Sequence, residues 1–263
     1  MAKYYEQEHV DAYARIRREG LDQWNDLHPE DSGHGYEDFS SRAFLERVMP
    51  TSGEGATVFE YGCGTGGAAC FLAARGYDVT AMDLVPDAIA VAEERARERE
   101  LEIRFLVGDI CDRAAPSGPF DWIIDAFCLQ SIVTDADRGA VLDTVAERLA
   151  TDGRYVLTTA MFRADRDYGE DTFDEQTGIV WTSADGPGPE RMLIQGTWRQ
   201  PVRRHLRPET LRAELERHGL EVLEQSGPDG GEVVGQLRCG PRHDCTAFVR
   251  GATAPPALTP AEC

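Results

Sequence analysis

Between Val58 and Asp83 the chain reads VFEYGCGTGGAACFLAARGYDVTAMD. ATVFEYG (56–62) is an apolar run of strand length, closed by a cluster of glycines at 62, 64, 66 and 67. GGAACFLAARG (66–76) has the content of a short buried helix stopped by Gly76, and YDVTAMD (77–83) is a second strand. Strand, glycine-rich turn, helix and strand make one βαβ unit, which demands two parallel strands with the helix packed across them.

The same alternation continues downstream. Pro86 sits where the first turn of a helix tolerates proline, and that helix is expected to run to about Glu100. LEIRFLVGD (101–109) and FDWIIDAF (120–127) are strands three and four; the helix at 135–150 is stopped by Asp152-Gly153, and RYVLTTAMF (154–162) is strand five. Five strands alternating with helices predict an open parallel α/β sheet with helices on both faces. After Phe162 the pattern breaks into an acidic irregular stretch, then GIVWT and RMLIQGTW around the turn-rich SADGPGPE, which predicts a hairpin within an insertion at 163–200. A helix at Pro208–His218 and a strand at Leu220–Glu224 follow, with EVVGQLR and HDCTAFVR as further strand candidates. Upstream, 7–19 has helical spacing, 21–35 is loop with Trp24 as an aromatic anchor, and a second helix spans about Tyr36 to Val48. The expected division is an N-terminal helical cap (1–50), a core (51–250) carrying the lid insertion at 163–200, and a disordered tail (251–263).

Composition narrows the partners. The 263 residues suit one large α/β domain, and 41% hydrophobic residues exclude a mostly disordered chain. Asp and Glu number 47 against 27 Lys and Arg, a formal net charge of −20 that repels phosphate backbones and anionic lipid. Nucleic acid and membrane are therefore not expected as partners, although a local basic pocket stays open. Lys3 is the sole lysine, a pattern we read as codon bias from a GC-rich genome. The seven cysteines are odd in number and form no C-x-x-C pair, residues 1–6 lack the apolar core of a signal peptide, and no run reaches transmembrane length. A reduced, cytoplasmic protein is expected, as a monomer or homodimer. His28 and His34 lack metal-like spacing with an adjacent carboxylate, so no metal is expected.

The glycine cluster alone is ambiguous, because Gly62, Gly64 and Gly67 also satisfy the dinucleotide pattern G-x-G-x-x-G. Glu60, just before it, would repel a pyrophosphate but favour an ammonium and a sulfonium. Asp83 ends strand two, suitably placed for two ribose hydroxyls, and Asp109 ends strand three. Three acids at three successive strand ends fit one cofactor lying across the carboxyl edge of the sheet.

With VGDI and FDWIIDAFCLQSI added, this stretch resembles the core of class I S-adenosylmethionine-dependent methyltransferases over roughly residues 51–162. SRAFLERVMP, DAFCLQSIVTDADR and TGIVW are similar to phrases in bacterial small-molecule, natural-product methyltransferases. The resemblance implies a Rossmann-like, doubly wound, mostly parallel seven-stranded sheet with an N-terminal helical cap and an insertion after strand five. It implies S-adenosyl-L-methionine as cofactor and methyl transfer to a nitrogen, oxygen or nucleophilic carbon of a small, secondary-metabolite acceptor. Glu60, Gly62, Gly64, Asp83, Leu84, Asp109 and Ile110 would line the cofactor site, Asp125 and Ala126 would sit beside the donor sulfur, and Trp24 would cover it. Arg42 either reaches the methionyl carboxylate or pairs with a helix acid. The Asn/Asp-Pro-Pro-aromatic signature of DNA and glutamine methylation is absent, the matching stretch being DAFC. An NAD-type oxidoreductase and a non-catalytic S-adenosylmethionine-binding protein are the alternatives.

Residues that could cover the donor methyl are Tyr4, Tyr5, Tyr13, Trp24, His28 and His34 on one side, and Trp181, Trp198 and His205 on the other. Tyr13 and His205 carry the catalytic expectation. His205 would be the base, kept neutral by Arg203 and Arg204, which themselves either bind an acceptor carboxylate or pair with acids at 165–175. His9 and His218 lie on predicted helices, where solvent or packing explains them.

Overall fold

A computed structural model describes residues 3–27, 37–112, 115–227 and 229–238. Helix α1 (Glu6–Glu19) has acids in its first turn and Arg17 and Arg18 in its last, matching the helix dipole, and it ends at left-handed Gly20. A 3-10 turn, Trp24–Leu27, follows. Helix α2 covers only Arg42–Val48, shorter than expected. Phe39 instead lies in the turn before it, with its ring 5.5 Å from that of Phe71, so a tertiary contact takes the chain out of the helix its spacing suggests. Tyr36 lies outside the described residues.

The core then follows as β1 (Thr57–Tyr61), α3 (Gly67–Ala73), β2 (Asp78–Asp83), α4 (Pro86–Glu98), β3 (Ile103–Val107), β4 (Phe120–Ala126), α5 (Asp135–Arg148) and β5 (Leu149–Thr158). Thr134 caps α5 by accepting the Asp137 N–H. Strand β5 begins at Leu149, inside the stretch expected to be helix, because Leu149 pairs with Phe120 of β4. After an insertion, α6 (Pro208–Arg217), β10 (Leu220–Ser226) and β11 (Glu232–Leu237) complete the core.

The main sheet has seven strands in the order β10-β11-β5-β4-β1-β2-β3. Strands β1 to β5 run parallel, while β11 is antiparallel to both of its neighbours. The seven are complete without HDCTAFVR (243–250), which lies outside the described residues, as does the tail. Alternate residues of β1 serve opposite faces: Phe59 and Tyr61 pack with Leu142 and Leu157, and Val58 with Ala68, Leu72 and Val79. No helix among the described residues is long and apolar enough to cross a membrane.

The insertion departs from expectation. It is a four-stranded antiparallel sheet, ordered β6-β7-β9-β8, from β6 (Thr172–Asp174), β7 (Ile179–Ser183), β8 (Met192–Ile194) and β9 (Thr197–Arg204). Pro201 and the charged pair at 203–204 hide the end of β9 in the sequence. In the sheet, an irregularity between Val180 and Trp181 accommodates the proline opposite Trp181.

Candidate functional site

A cavity of about 380 Å³ opens at the carboxyl ends of β1, β2, β3 and β4. Its roof is α1 and the Trp24 turn, and Arg203 of β9 reaches its wall. Gly62, Gly64 and Gly66 hold φ of +63°, +54° and +81°, in the left-handed region that favours glycine. A Cβ at Gly62 would stand 2.5 Å from Cys128 Sγ. The turn therefore needs glycine for both its conformation and its clearance.

Two of the three expected carboxylates lie deep in this site. Glu60 is 1% exposed, and its Oε2 has no hydrogen-bond partner among the described residues. Burial, then the carboxylates of Asp83 and Asp125, push its carboxyl up to about 8. Asp83 Oδ2 accepts the Gly64 N–H at 2.8 Å and Oδ1 accepts the Val85 N–H at 2.9 Å. Burial raises the Asp83 carboxyl, opposed by these backbone donors. At the end of β3, Asp109 Oδ2 accepts the Tyr5 hydroxyl at 2.7 Å and Oδ1 accepts the Cys111 N–H at 2.9 Å. Leu84, Ile110 and Ala126 line the same cavity.

Tyr5, just before α1, and His9 and Tyr13 on it follow at four-residue steps and all line the cavity, Tyr5 over Asp109 and Tyr13 over Gly64. Tyr13 is held protonated, its hydroxyl pushed well up by burial and then by Asp83. Trp24 closes this roof against His9 and Tyr13, with ring centroids 5.1 Å and 5.5 Å away. Arg95 fastens the roof, donating to the Asp22 and Thr65 carbonyls. The loop after β4 is held from below by Arg138, which pairs with Glu214 at 2.7 Å and donates to the Leu129 and Ile132 carbonyls at 2.8 and 3.0 Å.

Three expected positions fall elsewhere. Asp125 does not line the cavity: its carboxylate turns down to accept the N–H groups of Cys128 and Leu129, because the chain bends sharply after β4 and those donors need a partner. Arg42 is engaged by Glu46 at 3.1 Å and by the Glu37 carbonyl at 2.7 Å, so of its two readings the helix-acid pair holds. His205 is buried outside the cavity lining, beside Arg166 and Tyr168, whose hydroxyl is 3.2 Å from Nδ1. Burial, then Arg166 and Arg203, lower it to about 4.

Arg203 pairs with Glu8 of α1 at 3.0 Å, not with the acids at 165–175, and Arg204 pairs with Asp135. Tyr4 is buried, and its hydroxyl oxygen accepts the Val133 N–H at 2.7 Å. His28 and His34 lie outside the described residues. His9 lines the cavity although its sequence carried no signal beyond a predicted helix, and Gln130, Ser131 and Ile132 line it from within the FDWIIDAFCLQSI stretch, where the pattern does not single them out as site residues.

Residues 58–153 match a family model described as a methyltransferase domain. A ubiquinone biosynthesis O-methyltransferase of Xylella fastidiosa is 31% identical over 161 residues, covering 60% of this chain and 61% of that protein. The chain thus spans about three fifths of the length of this curated relative. Among solved structures, the CcbJ methyltransferase from Streptomyces caelestis aligns with a TM-score of 0.59 at 15% identity, over 83% of this chain and 97% of that one. The 1,6-didemethyltoxoflavin-N1-methyltransferase from Burkholderia thailandensis aligns with a TM-score of 0.55 at 18% identity, over 91% and 92%.

Proposed function

We propose that this chain, a member of the class I S-adenosylmethionine-dependent methyltransferases, moves a methyl group from S-adenosyl-L-methionine to a nitrogen, oxygen or nucleophilic carbon of a small secondary-metabolite acceptor. The observation that carries this reading is Glu60 Oε2, buried beside the glycine turn with no hydrogen-bond partner among the described residues. A buried acceptor without a donor is costly, and a ligand ammonium satisfies it. The same carboxylate opposes a pyrophosphate, which disfavours the NAD-type alternative.

Glu60, Gly62 and Gly64 would hold the methionyl end, Asp83 and Leu84 the ribose, and Asp109 and Ile110 the adenine side. Each Asp83 oxygen accepts one backbone N–H and keeps a lone pair for a hydroxyl. Ala126 and Trp24 would flank the sulfur. When bound, S-adenosylmethionine supplies an electrophilic methyl on a sulfonium. The residues of this chain do the placing: Tyr5, His9, Tyr13 and Trp24 exclude water from above, while Arg138 holds the loop after β4. In-line displacement gains most from such positioning.

The relative named for ubiquinone biosynthesis and the neighbour solved with 1,6-didemethyltoxoflavin support oxygen or nitrogen on a small molecule. The net charge of −20 argues against a nucleic-acid acceptor. We place the protein in the cytoplasm as a monomer or homodimer, with 1–50 and 163–200 as the cover of the core. Titration calorimetry with S-adenosylhomocysteine tests the cofactor, and absence of binding at near-millimolar ligand ends the reading. Mass-spectrometric screening of acceptors from the genomic neighbourhood, with ribosomal RNA as a control, tests the substrate class.

A further inference from the structure

We infer that His9 is the general base of this site and that the acceptor presents an aromatic hydroxyl. The inference rests on the methyl-transfer reading above and adds to it the identity of the proton acceptor. His9 lines the cavity, and its Nδ1 lies 2.7 Å from the Tyr5 carbonyl oxygen. A carbonyl only accepts, so Nδ1 carries the proton and the lone pair of the neutral ring sits on Nε2. Among the described residues Nε2 has no hydrogen-bond partner. The ring is steadied against Trp24, whose other neighbours are Tyr13 and the Arg203 guanidinium, 5.8 Å from its centroid.

The other groups on the cavity wall are committed or hold their protons. The Tyr5 hydroxyl donates to Asp109. Burial pushes the Tyr13 hydroxyl and the Cys63 and Cys128 thiols well up. Asp83 is engaged by two backbone N–H groups, and Glu60 faces the cofactor ammonium in the reading above. His205, the base expected from the sequence, is outside the cavity lining. Among the described residues His9 is the one imidazole on this wall.

An imidazole base is useful to an acceptor whose nucleophilic atom must lose a proton, and a wall of Tyr5, Tyr13, Trp24 and His9 suits a planar ring. In the step, the acceptor oxygen forms the new O–CH₃ bond while the S–CH₃ bond breaks with its electron pair left on sulfur. The O–H proton passes to His9 Nε2. The products are a methyl ether, a neutral thioether and an imidazolium, so the positive charge moves from sulfur to His9.

Calorimetry with S-adenosylhomocysteine comes first: no binding by the wild type sinks the methyl-transfer reading and leaves His9 without a reaction. Long-range ¹H–¹⁵N correlation spectra of the ligand-free protein, assigned by difference from His9→Gln, read the tautomer without turnover. The Nδ1–H form is expected; an Nε2–H form overturns the inference. Wild type and His9→Gln are then given S-adenosylmethionine with phenol, 4-cyanophenol, 4-nitrophenol and pentafluorophenol, and the methyl ethers are quantified by mass spectrometry. His9→Gln should lose about 10²–10⁴-fold on phenol, the range a positioned base supplies, and far less on pentafluorophenol, which is already ionised. An equal loss across the series, or none, overturns the base. Failure of the wild type to methylate any member while binding S-adenosylhomocysteine overturns the aromatic-hydroxyl assignment.

Discussion

Tyr13 stands directly over Gly64: a Cβ on Gly64 would lie 2.6 Å from the Tyr13 hydroxyl oxygen. Helix α1 thus closes onto the glycine turn through space that a side chain would fill. The turn and its roof are one fitted unit, although Tyr13 and Gly64 lie 51 positions apart in the chain.

Gly64→Ala tests this unit. Its φ of +54° places a Cβ in the left-handed region, costing roughly 1–2 kcal/mol, and Tyr13 must also move. S-adenosylhomocysteine affinity should fall about tenfold or more, since 1.4 kcal/mol is a factor of ten. An unchanged affinity in a folded variant would separate the turn from the cofactor.

Asp83→Ala removes the acceptor of the Gly64 and Val85 N–H groups as well as the proposed ribose contact. Charge-assisted hydrogen bonds are worth about 1.5–3 kcal/mol each, so affinity should drop at least about tenfold. Calorimetry on a variant with native circular dichroism checks it, and wild-type affinity removes Asp83 from the site.

Glu60 makes the ligand-free protein sensitive to alkali. Its folded carboxyl is raised to about 8 from an ordinary 4.5, so the folded state binds its proton more tightly than the unfolded state. The stability this contributes is fully present below pH 4.5 and is lost as pH rises through about 8. Thermal melts between pH 5 and 9 should show that loss in the wild type relative to Glu60→Gln. A cationic ligand reverses the preference, so S-adenosylmethionine binding near neutral pH should release protons, read as a buffer-dependent heat. Parallel melting curves for the two proteins would contradict the assignment.

His205→Gln separates packing from chemistry. His205 is lowered to about 4, so its contribution to stability is present above the ordinary 6.5 and is lost as pH falls through about 4. The variant should flatten that acid limb while leaving S-adenosylhomocysteine affinity unchanged. A large loss of affinity would bring His205 back to the site.

Arg138 and Glu214 are 3% and 7% exposed in their side chains and form a bidentate pair. Removing one partner strands a buried charge, at about 3–5 kcal/mol. Chemical denaturation should find Arg138→Met and Glu214→Leu each strongly destabilised, and the double variant less so than the sum. Strict additivity would mean the two charges do not interact.

Local pattern along the chain specifies the sheet and the floor of the site. Apolar runs of strand length separated by glycines and helical spacing admit few arrangements, because a parallel βαβ unit has one hand and short reach. Local bonding then puts Glu60, Gly62, Gly64 and Asp83 at the carboxyl edge, and this was legible without any long-range contact. The tertiary structure alone decided the roof. His9 and Val10 are neighbours on the same helix, and only the docking of α1 sends one to the cavity and leaves the other exposed. The same holds for Asp125, turned away by the bend after β4, and for Arg203, drawn to Glu8 across 195 residues. Local pattern specifies which face of an element is apolar; which polar groups meet over a cavity depends on packing between elements distant in sequence, and no short-range spacing encodes it.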